Sequence, residues 1–295
     1  KPAVAPAVQQ WYGTEGKTSI TSDTVISVGD SGFGQEAKFY QTDLESRGLE
    51  IATGDQSAQN RIEFKKVEDK GYGKEGYGIT IKDGVITVEA ATNAGAFYAT
   101  RTLLQMGEND LQNGEIRDFP SFSHRGFMLD TGRKFIPYDT LVDIMLNMAY
   151  CKMNDLQLHL NDNYIFLEKH LEGKHLSQQE ELDYVLKNAK TGFRVETDVV
   201  GENGEKLTSD EHYTKEEMQQ IIKLAKALHI NLVPEIDTPG HALSFVKVRP
   251  DLMYKGSLSD YRGKHNVERV AMLDLDNKYE ETLAFVKSVY DKLLD

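Results

Sequence analysis

The stretch that decides the fold of this chain is His124-Arg-Gly-Phe-Met-Leu-Asp-Thr-Gly-Arg-Lys-Phe135. Two later stretches have the same layout, Leu158-His-Leu-Asn-Asp-Asn163 and Pro234-Glu-Ile-Asp-Thr-Pro-Gly-His241. In each of them an apolar run ends in polar or charged residues, and helical patterns lie between them. This layout is typical of successive strands of a (β/α)8 barrel, because each barrel strand delivers its chemistry at its carboxyl end.

The residues from 123 onward alternate between predicted strands and helices. The strands are Phe127–Leu129, Leu156–Leu160 and Asn231–Ile236. Thr214-Lys-Glu-Glu217 forms a capping box that opens one of the helices. A complete barrel needs about 250 residues, which is more than this region contains. We therefore predict an α/β fold in which residues 123–295 form part of a TIM (β/α)8 barrel, its first three βα units, truncated before the fourth strand.

Residues 11–118 have the pattern of a small α+β domain that precedes the barrel. Thr24–Val28 and Arg61–Val67 have strand character. Two alternating runs around Asp83-Gly84 predict a β-hairpin, since this dipeptide suits a two-residue turn. A helical pattern follows the hairpin, and we predict Asn93 as its N-cap.

Composition excludes several classes of partner. The formal charge of −13 argues against nucleic acid and against anionic membrane surfaces. No run of about 18 apolar residues is present, so no membrane insertion is expected. Cys151 is the only cysteine, which excludes an intrachain disulfide, and its helical apolar surroundings predict a buried thiol. Residues 1–10 are rich in Pro and Ala, so we expect a linker there and a secreted or cell-surface protein.

Asp130 and Arg133 directly follow the first predicted barrel strand. A guanidinium at this position can fork two hydrogen bonds to neighbouring sugar hydroxyls or to a carboxylate. It can equally form a structural ion pair with Asp130. The spacing alone does not decide between these roles.

Asp162 ends the second strand, and Asp237 and His241 follow the third. A histidine oriented by one carboxylate can tune another acid, so the three are candidates for one site. Each is also a common cap or turn residue. Two further alternatives stay open: His159, Asp162 and His241 as metal ligands, and Ser244 with His241 as a nucleophile pair. Close ligand spacing and a nucleophile elbow, which would favour them, are both absent.

A long polar segment, 163–213, follows the second strand. Segments of this length after a strand end are more often functional than idle. Tyr164 and Phe166 are therefore candidates for a rim on which a sugar stacks. An ordinary surface insertion is the alternative.

Taken together, these motifs resemble glycoside hydrolase family 20, the β-N-acetylhexosaminidases and lacto-N-biosidases. The matching stretches are His124–Phe135, Lys152–Asn163 and Asn231–Ala242. Glu75–Met106 is similar to the end of the small α+β domain that precedes the barrel in that family. The resemblance covers most of the chain, with its three motifs in the expected order.

The resemblance implies removal of terminal β-linked N-acetylhexosamine by substrate-assisted, retaining catalysis, an exception to the two-carboxylate scheme. The acetamido oxygen of the substrate attacks the anomeric carbon. An adjacent Asp-Glu pair on the fourth strand orients the acetamido group and supplies the general acid. By the same resemblance, Arg133, Asp237 and His159 bind the substrate. Asp162 and His241 form a relay that supports the catalytic Glu, and no cofactor or metal is implied.

The chain departs from the family pattern at two points. Asp210-Glu211 lies in a loop and Glu280-Glu281 opens a helix, so neither has the context of the catalytic pair. We therefore expect the catalytic carboxylates to lie in a C-terminal half outside this chain. Asn161-Asp162-Asn163 stands where many hexosaminidases have Asp-Asp. The Gln157–Asn163 run and Gly132-Arg133-Lys134 favour the lacto-N-biosidase-like branch.

Two hypotheses about function follow. The first is a hexosaminidase-type hydrolase whose catalytic half is not in this chain. The second is a non-catalytic carbohydrate-binding or structural protein made from the same half-barrel. The first is favoured, because a half-barrel alone leaves its sheet edge and inner face uncovered. In either case the expected partner is a glycan with a terminal N-acetylhexosamine.

Overall fold

The computed structural model divides the chain into two compact units. The first consists of Lys1–Gly126, Ile144–Asp155 and Leu224–Asn231, and the second of Phe127–Asp143, Leu156–Lys223 and Leu232–Asp295. The structure describes residues 1–54, 57–69, 71, 73–163, 173–177, 180, 183–184, 187, 191–254 and 272–294. The candidate rim residues Tyr164 and Phe166 lie outside the described residues.

A seven-stranded sheet forms the centre of the first unit. Its strands are β1 (Gln10–Thr18), β2 (Val25–Ser27), β3 (Ala52–Thr53), β4 (Arg61–Lys66), β5 (Tyr77–Lys82), β6 (Val85–Ala90) and β7 (Leu111–Asp118). They lie in the order β1-β7-β5-β6-β4-β2-β3. Pairing is antiparallel from β1 to β6 and parallel from β6 to β3. This mixed sheet agrees with the predicted α+β pattern.

The predicted hairpin is confirmed. β5 and β6 pair antiparallel along their whole length. Asp83 and Gly84 between them have φ angles of 49° and 84°. Both therefore occupy the left-handed region that a two-residue type I′ turn requires. Side chains on one face of both strands are buried, as the alternating pattern predicts.

Helices α1 (Gly34–Ser46) and α2 (Asn93–Met106) belong to the same unit. The prediction of Asn93 as the N-cap is wrong by one residue. The extended Thr92 is the cap, and its hydroxyl accepts a hydrogen bond from the Gly95 N–H at 3.1 Å. Asn93 is instead the first helical residue, and its Nδ2 donates to Glu36 at 3.0 Å. Threonine and asparagine are both preferred N-cap residues, so residue type alone does not decide between these two neighbours.

Strand β7 is not indicated by the sequence pattern, because polar residues occupy part of its buried face. Asn113 accepts a hydrogen bond from the Thr18 hydroxyl at 2.8 Å. Asp118 accepts from the Tyr77 hydroxyl at 2.5 Å and lies 2.9 Å from the Lys152 ammonium. Buried polar groups that find partners in this way have no hydrophobic periodicity by which to be recognised.

Cys151, predicted to be buried, is exposed. It directly follows α3 (Tyr138–Tyr150). The next residue, Lys152, has a φ of 58°, so the helical path has already ended. The apolar spacing of the helix therefore does not extend to the face on which Cys151 lies.

The second unit contains the strands predicted for the barrel. They are β8 (Gly126–Asp130), β9 (Asp155–His159) and β12 (Asn231–Glu235), in the order β12-β9-β8. The Asn154 N–H donates to the Arg125 carbonyl at one end, and the Thr131 N–H donates to the His159 carbonyl at the other. β8 and β9 therefore run parallel. Strands that alternate with helices and lie side by side in chain order confirm the α/β class of this region.

The capping box before α4 (Lys215–Ala227) is confirmed in both directions. The Thr214 N–H donates to the Glu217 carboxylate at 2.8 Å, and the Glu217 N–H donates to the Thr214 hydroxyl at 3.1 Å. Two of the free donors at the start of the helix are thereby satisfied. α4 consequently begins where the sequence predicts and precedes β12.

The remaining elements of the second unit include two short strands and two helices. β10 (Asn161–Asn163) pairs antiparallel with β11 (Thr191–Phe193), and α5 (Leu243–Val248) and α6 (Tyr279–Leu294) follow β12. Their buried aromatic and aliphatic side chains share one apolar cluster, which includes Phe193, Leu243, Phe245, Val246 and Val289. None of the described helices is both long and apolar enough to cross a bilayer.

Candidate active site

The turns that follow β8, β9 and β12 meet at one edge of the sheet. Parallel strands place their carboxyl ends at the same edge, so side chains just beyond the strands converge. The five predicted site residues, Arg133, His159, Asp162, Asp237 and His241, are all brought into one network of hydrogen bonds and ion pairs. Asp130 joins them through Arg133.

Asp162 is the centre of this network and is 1% exposed. Its Oδ2 lies 2.7 Å from Nε2 of His159 and 2.9 Å from the Arg133 guanidinium. Its Oδ1 lies 2.9 Å from Nδ1 of His241 and accepts from the Asn163 N–H at 2.5 Å. A buried carboxylate is tolerated only when its charge is paired and its lone pairs are filled, and both conditions hold here.

Arg133 spans two carboxylates. Its Nη1 donates to Asp130 at 2.6 Å, and its Nη2 lies 2.9 Å from Asp162. The hydrogen bond to Asp130 raises the pKa of the guanidinium. Burial raises the pKa of Asp130, but hydrogen bonds from the backbone and side chain of Arg133 outweigh it and leave that pKa below its ordinary value. The Arg133–Asp130 ion pair, one of the two roles that the spacing left open, is therefore formed. The Arg133 side chain is nevertheless 39% exposed, so a ligand can reach it.

His159 lies between two carboxylates. Its Nε2 faces Asp162, and its Nδ1 lies 3.2 Å from Glu235. Burial lowers the pKa of His159, but the hydrogen bonds to Asp162 and Glu235 outweigh it, so the pKa lies above its ordinary value. Glu235 in turn accepts from the Gln157 amide at 2.5 Å. Both ring nitrogens therefore face carboxylates, an arrangement that favours the protonated form of the ring.

His241 presents Nδ1 to both oxygens of Asp162, at 2.9 and 3.0 Å. This carboxylate fixes the proton on Nδ1, because an ionised acid only accepts. The Arg133 Nη2 lies 3.4 Å from the same nitrogen, but both groups are donors, so this approach is not a hydrogen bond. The other ring nitrogen, Nε2, is then the basic one.

Asp237 is held by its backbone. The Asp237 N–H donates to Oδ1 of Asn161 at 2.6 Å, and its carbonyl accepts from Nδ2 of the same residue at 3.0 Å. Its carboxylate lies 3.9 Å from Nδ1 of His241. Asn161 thus ties the turn after β9 to the turn after β12.

The described residues do not bring His159, Asp162 and His241, the residues of the metal alternative, into one group of possible metal ligands, but they form three other groups. Ligand atoms of three overlapping groups lie within 4.8 Å of one another: Asp130, His159 and Asp162; His159, Glu235 and Asp237; and Asp162, Asp237 and His241. A cation is already supplied to two of these groups, because the Arg133 guanidinium lies on Asp130 and Asp162. Both ring nitrogens of His159 also already face carboxylates, those of Asp162 and Glu235. The described residues therefore fit an Arg-centred site better than a metal centre.

The nucleophile alternative is not supported. Ser244 is 1% exposed, and its Oγ has no hydrogen-bond partner among the described parts of the chain. A serine nucleophile needs a base within hydrogen-bond reach. His241 is instead oriented by Asp162.

Three residues of the site were missed by sequence reasoning. Glu235 shares a face with Gln157 and His159, and its position at a strand end was the available signal. Asn161 was noted only as part of a family difference. Arg194, which is 5% exposed, donates to the backbone carbonyls of Thr131 and Gly132 just before Arg133. It lies in a segment without a motif, and no local pattern marks it.

Comparison with known families identifies both parts of the chain. The model of the glycosyl hydrolase family 20 catalytic domain matches residues 122–295, and the model of domain 2 of the same family matches residues 1–119. The catalytic-domain match includes all five predicted site residues.

Individual relatives agree with the family models. N,N'-diacetylchitobiase of Vibrio harveyi is 34% identical over 58% of this chain, which spans 20% of that protein. Lacto-N-biosidase of Bifidobacterium bifidum is 26% identical over 99% of this chain, which spans 23% of that protein. The crystal structure of Flavobacterium johnsoniae chitobiase superposes with a TM-score of 0.73 at 26% identity, covering 99% of this chain and 42% of that one. The chain thus spans less than half the length of each of these proteins.

Proposed function

The chain belongs to glycosyl hydrolase family 20, and we propose that it forms part of a hydrolase that removes terminal β-linked N-acetylhexosamine, or lacto-N-biose, from glycans. The observation that carries this proposal is the buried Asp162, which holds both Arg133 and His241. One carboxylate thereby orients a hydroxyl-binding guanidinium and a proton-relaying imidazole at the same edge of a parallel sheet.

Arg133 is proposed to hold the terminal sugar. Its guanidinium presents five N–H donors in a planar fork, of which some are used by Asp130 and Asp162. The donors that remain on the accessible side chain can bind neighbouring hydroxyls of a sugar ring. Because both carboxylates fix the plane of the fork, little side-chain entropy is lost when a sugar binds.

The proposed reaction is substrate-assisted and retaining. The acetamido oxygen of the substrate attacks the anomeric carbon, the glycosidic C–O bond breaks, and a general acid protonates the leaving oxygen. Water then opens the resulting oxazolinium ion from the face that the leaving group occupied. His241, with its Nδ1 proton on Asp162, offers Nε2 to the general acid and tunes its pKa.

We place the Asp-Glu pair of this mechanism in a part of the polypeptide outside these 295 residues. The support is that Asp210-Glu211 and Glu280-Glu281 do not lie at a strand end: the first precedes α4 and the second opens α6. The lengths of the chitobiase and lacto-N-biosidase relatives leave ample room for such a segment. Secretion or a cell-surface location is likewise a proposal, which fractionation of the host cell tests.

The test is hydrolysis by the full-length protein. We expect release of p-nitrophenol from its N-acetyl-β-glucosaminide or its β-lacto-N-bioside, with the β-anomer of the sugar appearing first in the NMR spectrum. Arg133→Met is expected to lower kcat/KM about 100-fold or more, because a bidentate partner is lost. Arg249→Met is the matched control, since that side chain is 35% exposed and pairs with Asp251 outside the site.

Three outcomes contradict the proposal. An inverted product anomer excludes substrate-assisted catalysis. Wild-type turnover in Arg133→Met removes this residue from the site. Binding of N-acetylhexosamine with no hydrolysis of either substrate favours a non-catalytic carbohydrate-binding protein instead.

A further inference from the structure

The backbone that carries Arg133 is fixed by a set of contacts to β9 and β10. The N–H groups of Thr131 and Gly132 both donate to the His159 carbonyl, at 3.1 and 3.0 Å. The Thr131 hydroxyl donates to the same oxygen at 2.9 Å. The turn between Asp130 and Arg133 therefore lies directly on the segment that leads to Asp162.

The carbonyl groups of this turn are held by a second arginine. Nε of Arg194 donates to the Thr131 carbonyl at 2.9 Å, and Nη2 donates to the Gly132 carbonyl at 3.0 Å. Nη1 donates to the Glu211 carbonyl at 2.8 Å. The guanidinium also lies over the Phe135 ring, 5.6 Å from its centroid. Arg194 thus contacts residues on both sides of Arg133 in the chain, Thr131 and Gly132 before it and Phe135 after it.

Burying this guanidinium is unfavourable in itself. Arg194 is 5% exposed, and all three of its described hydrogen bonds end on neutral carbonyl oxygens. Desolvation lowers the pKa of the group, although Glu211 and the Asp130 carboxylate oppose that effect. An apolar side chain would fill the same volume without the desolvation penalty. The hydrogen bonds that the Arg194 guanidinium donates to the turn therefore have a role other than filling space.

Two glycines allow the turn to come this close. A Cβ on Gly132 would lie 2.7 Å from the Asn161 carbonyl carbon and 2.8 Å from the Asp162 nitrogen. A Cβ on Gly192 would overlap the carbonyl oxygen of Gly132. Both positions need glycine because backbone meets backbone, and neither contact can move aside as a flexible side chain can. Gly192 lies opposite Asp162 in the β10–β11 pair, so the same register holds all three segments.

The geometry points to Arg194 as a positioning residue for Arg133. It clamps the two carbonyls that precede Arg133, and Gly192 provides the close approach that the clamp requires. Arg194 touches no sugar in this role and acts only through the orientation of the Arg133 fork between Asp130 and Asp162. That the oriented fork binds a terminal sugar rests on the proposed function, whereas the clamp itself does not.

The kinetic test uses the full-length protein with Arg194→Lys. Lysine keeps the charge but lacks the planar fork, so it cannot hold both carbonyls. We expect KM for the chromogenic N-acetylhexosaminide, and the inhibition constant of free N-acetylglucosamine, to rise about tenfold to a hundredfold. Arg249→Lys is the matched control, because that guanidinium also lies over a phenylalanine ring, 5.5 Å from the centroid of Phe285. Its substitution should leave both constants unchanged.

A double-mutant cycle separates positioning from general destabilisation. If Arg194 acts through Arg133, the variant Arg133→Met/Arg194→Lys should bind no more weakly than Arg133→Met alone. Additive losses would overturn the inference. Gly192→Ala displaces the same turn without changing Arg194. It should weaken sugar binding, and this loss should not add to the loss caused by Arg133→Met. Binding is compared only for variants whose circular dichroism shows a folded protein at the assay temperature.

A crystal structure of full-length Arg194→Lys tests whether Arg194 positions Arg133, and it does not require the protein to be enzymatically active. We expect Arg133 to have left Asp162, with the present 2.9 Å separation increased beyond 4 Å, the usual limit of an ion pair. An unchanged Arg133–Asp162 contact would overturn the inference. If the wild-type full-length protein hydrolyses neither substrate, the proposed function fails, and this structure still determines whether Arg194 positions Arg133. If Arg194→Lys does not fold, Arg194→Gln, which also lacks the guanidinium fork, provides the same crystallographic comparison.

Discussion

Nδ1 of His241 lies 2.9 Å from Oδ1 of Asp162 and 3.0 Å from Oδ2, although 79 residues separate them in the chain. The imidazole is thus held by a carboxylate that also pairs with Arg133. A single buried acid sets the tautomer of a histidine and the direction of an arginine. Its loss should therefore affect proton transfer and sugar binding together.

Asp162→Asn is expected to lower kcat/KM of the full-length protein at least 100-fold. The variant removes the buried carboxylate that pairs with both His159 and Arg133, and breaking a buried ion pair costs about 3–5 kcal/mol. Part of this loss should appear as a lower free energy of unfolding in urea. Asp251→Asn is the control, because its salt bridge with Arg249 is exposed and contributes under about 1 kcal/mol. Equal effects of the two substitutions would show that Asp162 is not central to the site.

The protonation of His159 should stabilise the second unit most strongly in acidic solution. Its folded-state pKa lies above the ordinary value because Asp162 and Glu235 face the ring. Its contribution is therefore fully present below the ordinary pKa of about 6.5 and is lost as pH rises through the raised folded-state pKa. Glu235→Gln should lower the His159 pKa and so narrow the pH range over which protonated His159 stabilises the fold.

Histidine ring ¹⁵N NMR and urea unfolding from pH 5 to 9 measure both effects. His212→Gln serves as the control, because His212 contacts backbone carbonyls rather than carboxylates. A His159 ring that is neutral at pH 6, or a stability profile that Glu235→Gln leaves unchanged, would disprove the two-carboxylate arrangement.

Thr214→Ala should reduce the free energy of unfolding by about 1 kcal/mol. The variant removes one half of the capping box, so the Glu217 N–H loses its acceptor at the start of α4. Thr42→Ala is the matched control, because the Thr42 hydroxyl donates back to the Lys38 carbonyl within a helix and caps no helix end. Both variants are compared by thermal or urea unfolding. Equal stability of the two would contradict a stabilising role of Thr214 as the N-cap.

Lys152→Met should destabilise the first unit by about 3 kcal/mol or more. Lys152 is 6% exposed, and its ammonium contacts Asp118 and the Tyr77 hydroxyl at 2.9 and 2.8 Å. The substitution leaves the Asp118 carboxylate buried without its cation. The double variant Lys152→Met/Asp118→Asn should recover part of the loss, because no uncompensated charge is left.

The control for Lys152 is Lys17→Met. Lys17 and Asp110 are both exposed and lie 3.8 Å apart, so their pair should contribute under about 1 kcal/mol. A change in urea midpoint that is as small for Lys152→Met as for Lys17→Met would show that the buried cluster does not support the fold.

Motifs with a local cause were predictable from the sequence. Asp83-Gly84 and Thr214–Glu217 were identified correctly because their residue types act over only a few positions. The site residues at strand ends were identified for a related reason. Asp162 and His241 follow strands whose apolar runs are visible in the chain, and parallel strands bring their ends together.

Features with a distant cause were not predictable in this way. The burial of Asn113 and Asp118 in β7 depends on Thr18, Tyr77 and Lys152, which lie far away in sequence. Cys151 lies just beyond the end of α3 and is exposed, and apolar periodicity alone does not reveal where the helix ends.

The sequence by itself determined the alternation of strands and helices, the capped start of α4, the hairpin turn and the family to which the chain is similar. These depend on residue type and spacing, which are local properties. Only the tertiary structure decided that Asp162 joins His159, His241 and Arg133, and that Arg194 grips the turn before Arg133. The reason is physical: hydrogen bonds and ion pairs act over about 3–4 Å, and only the folded backbone brings groups from separate segments within that range.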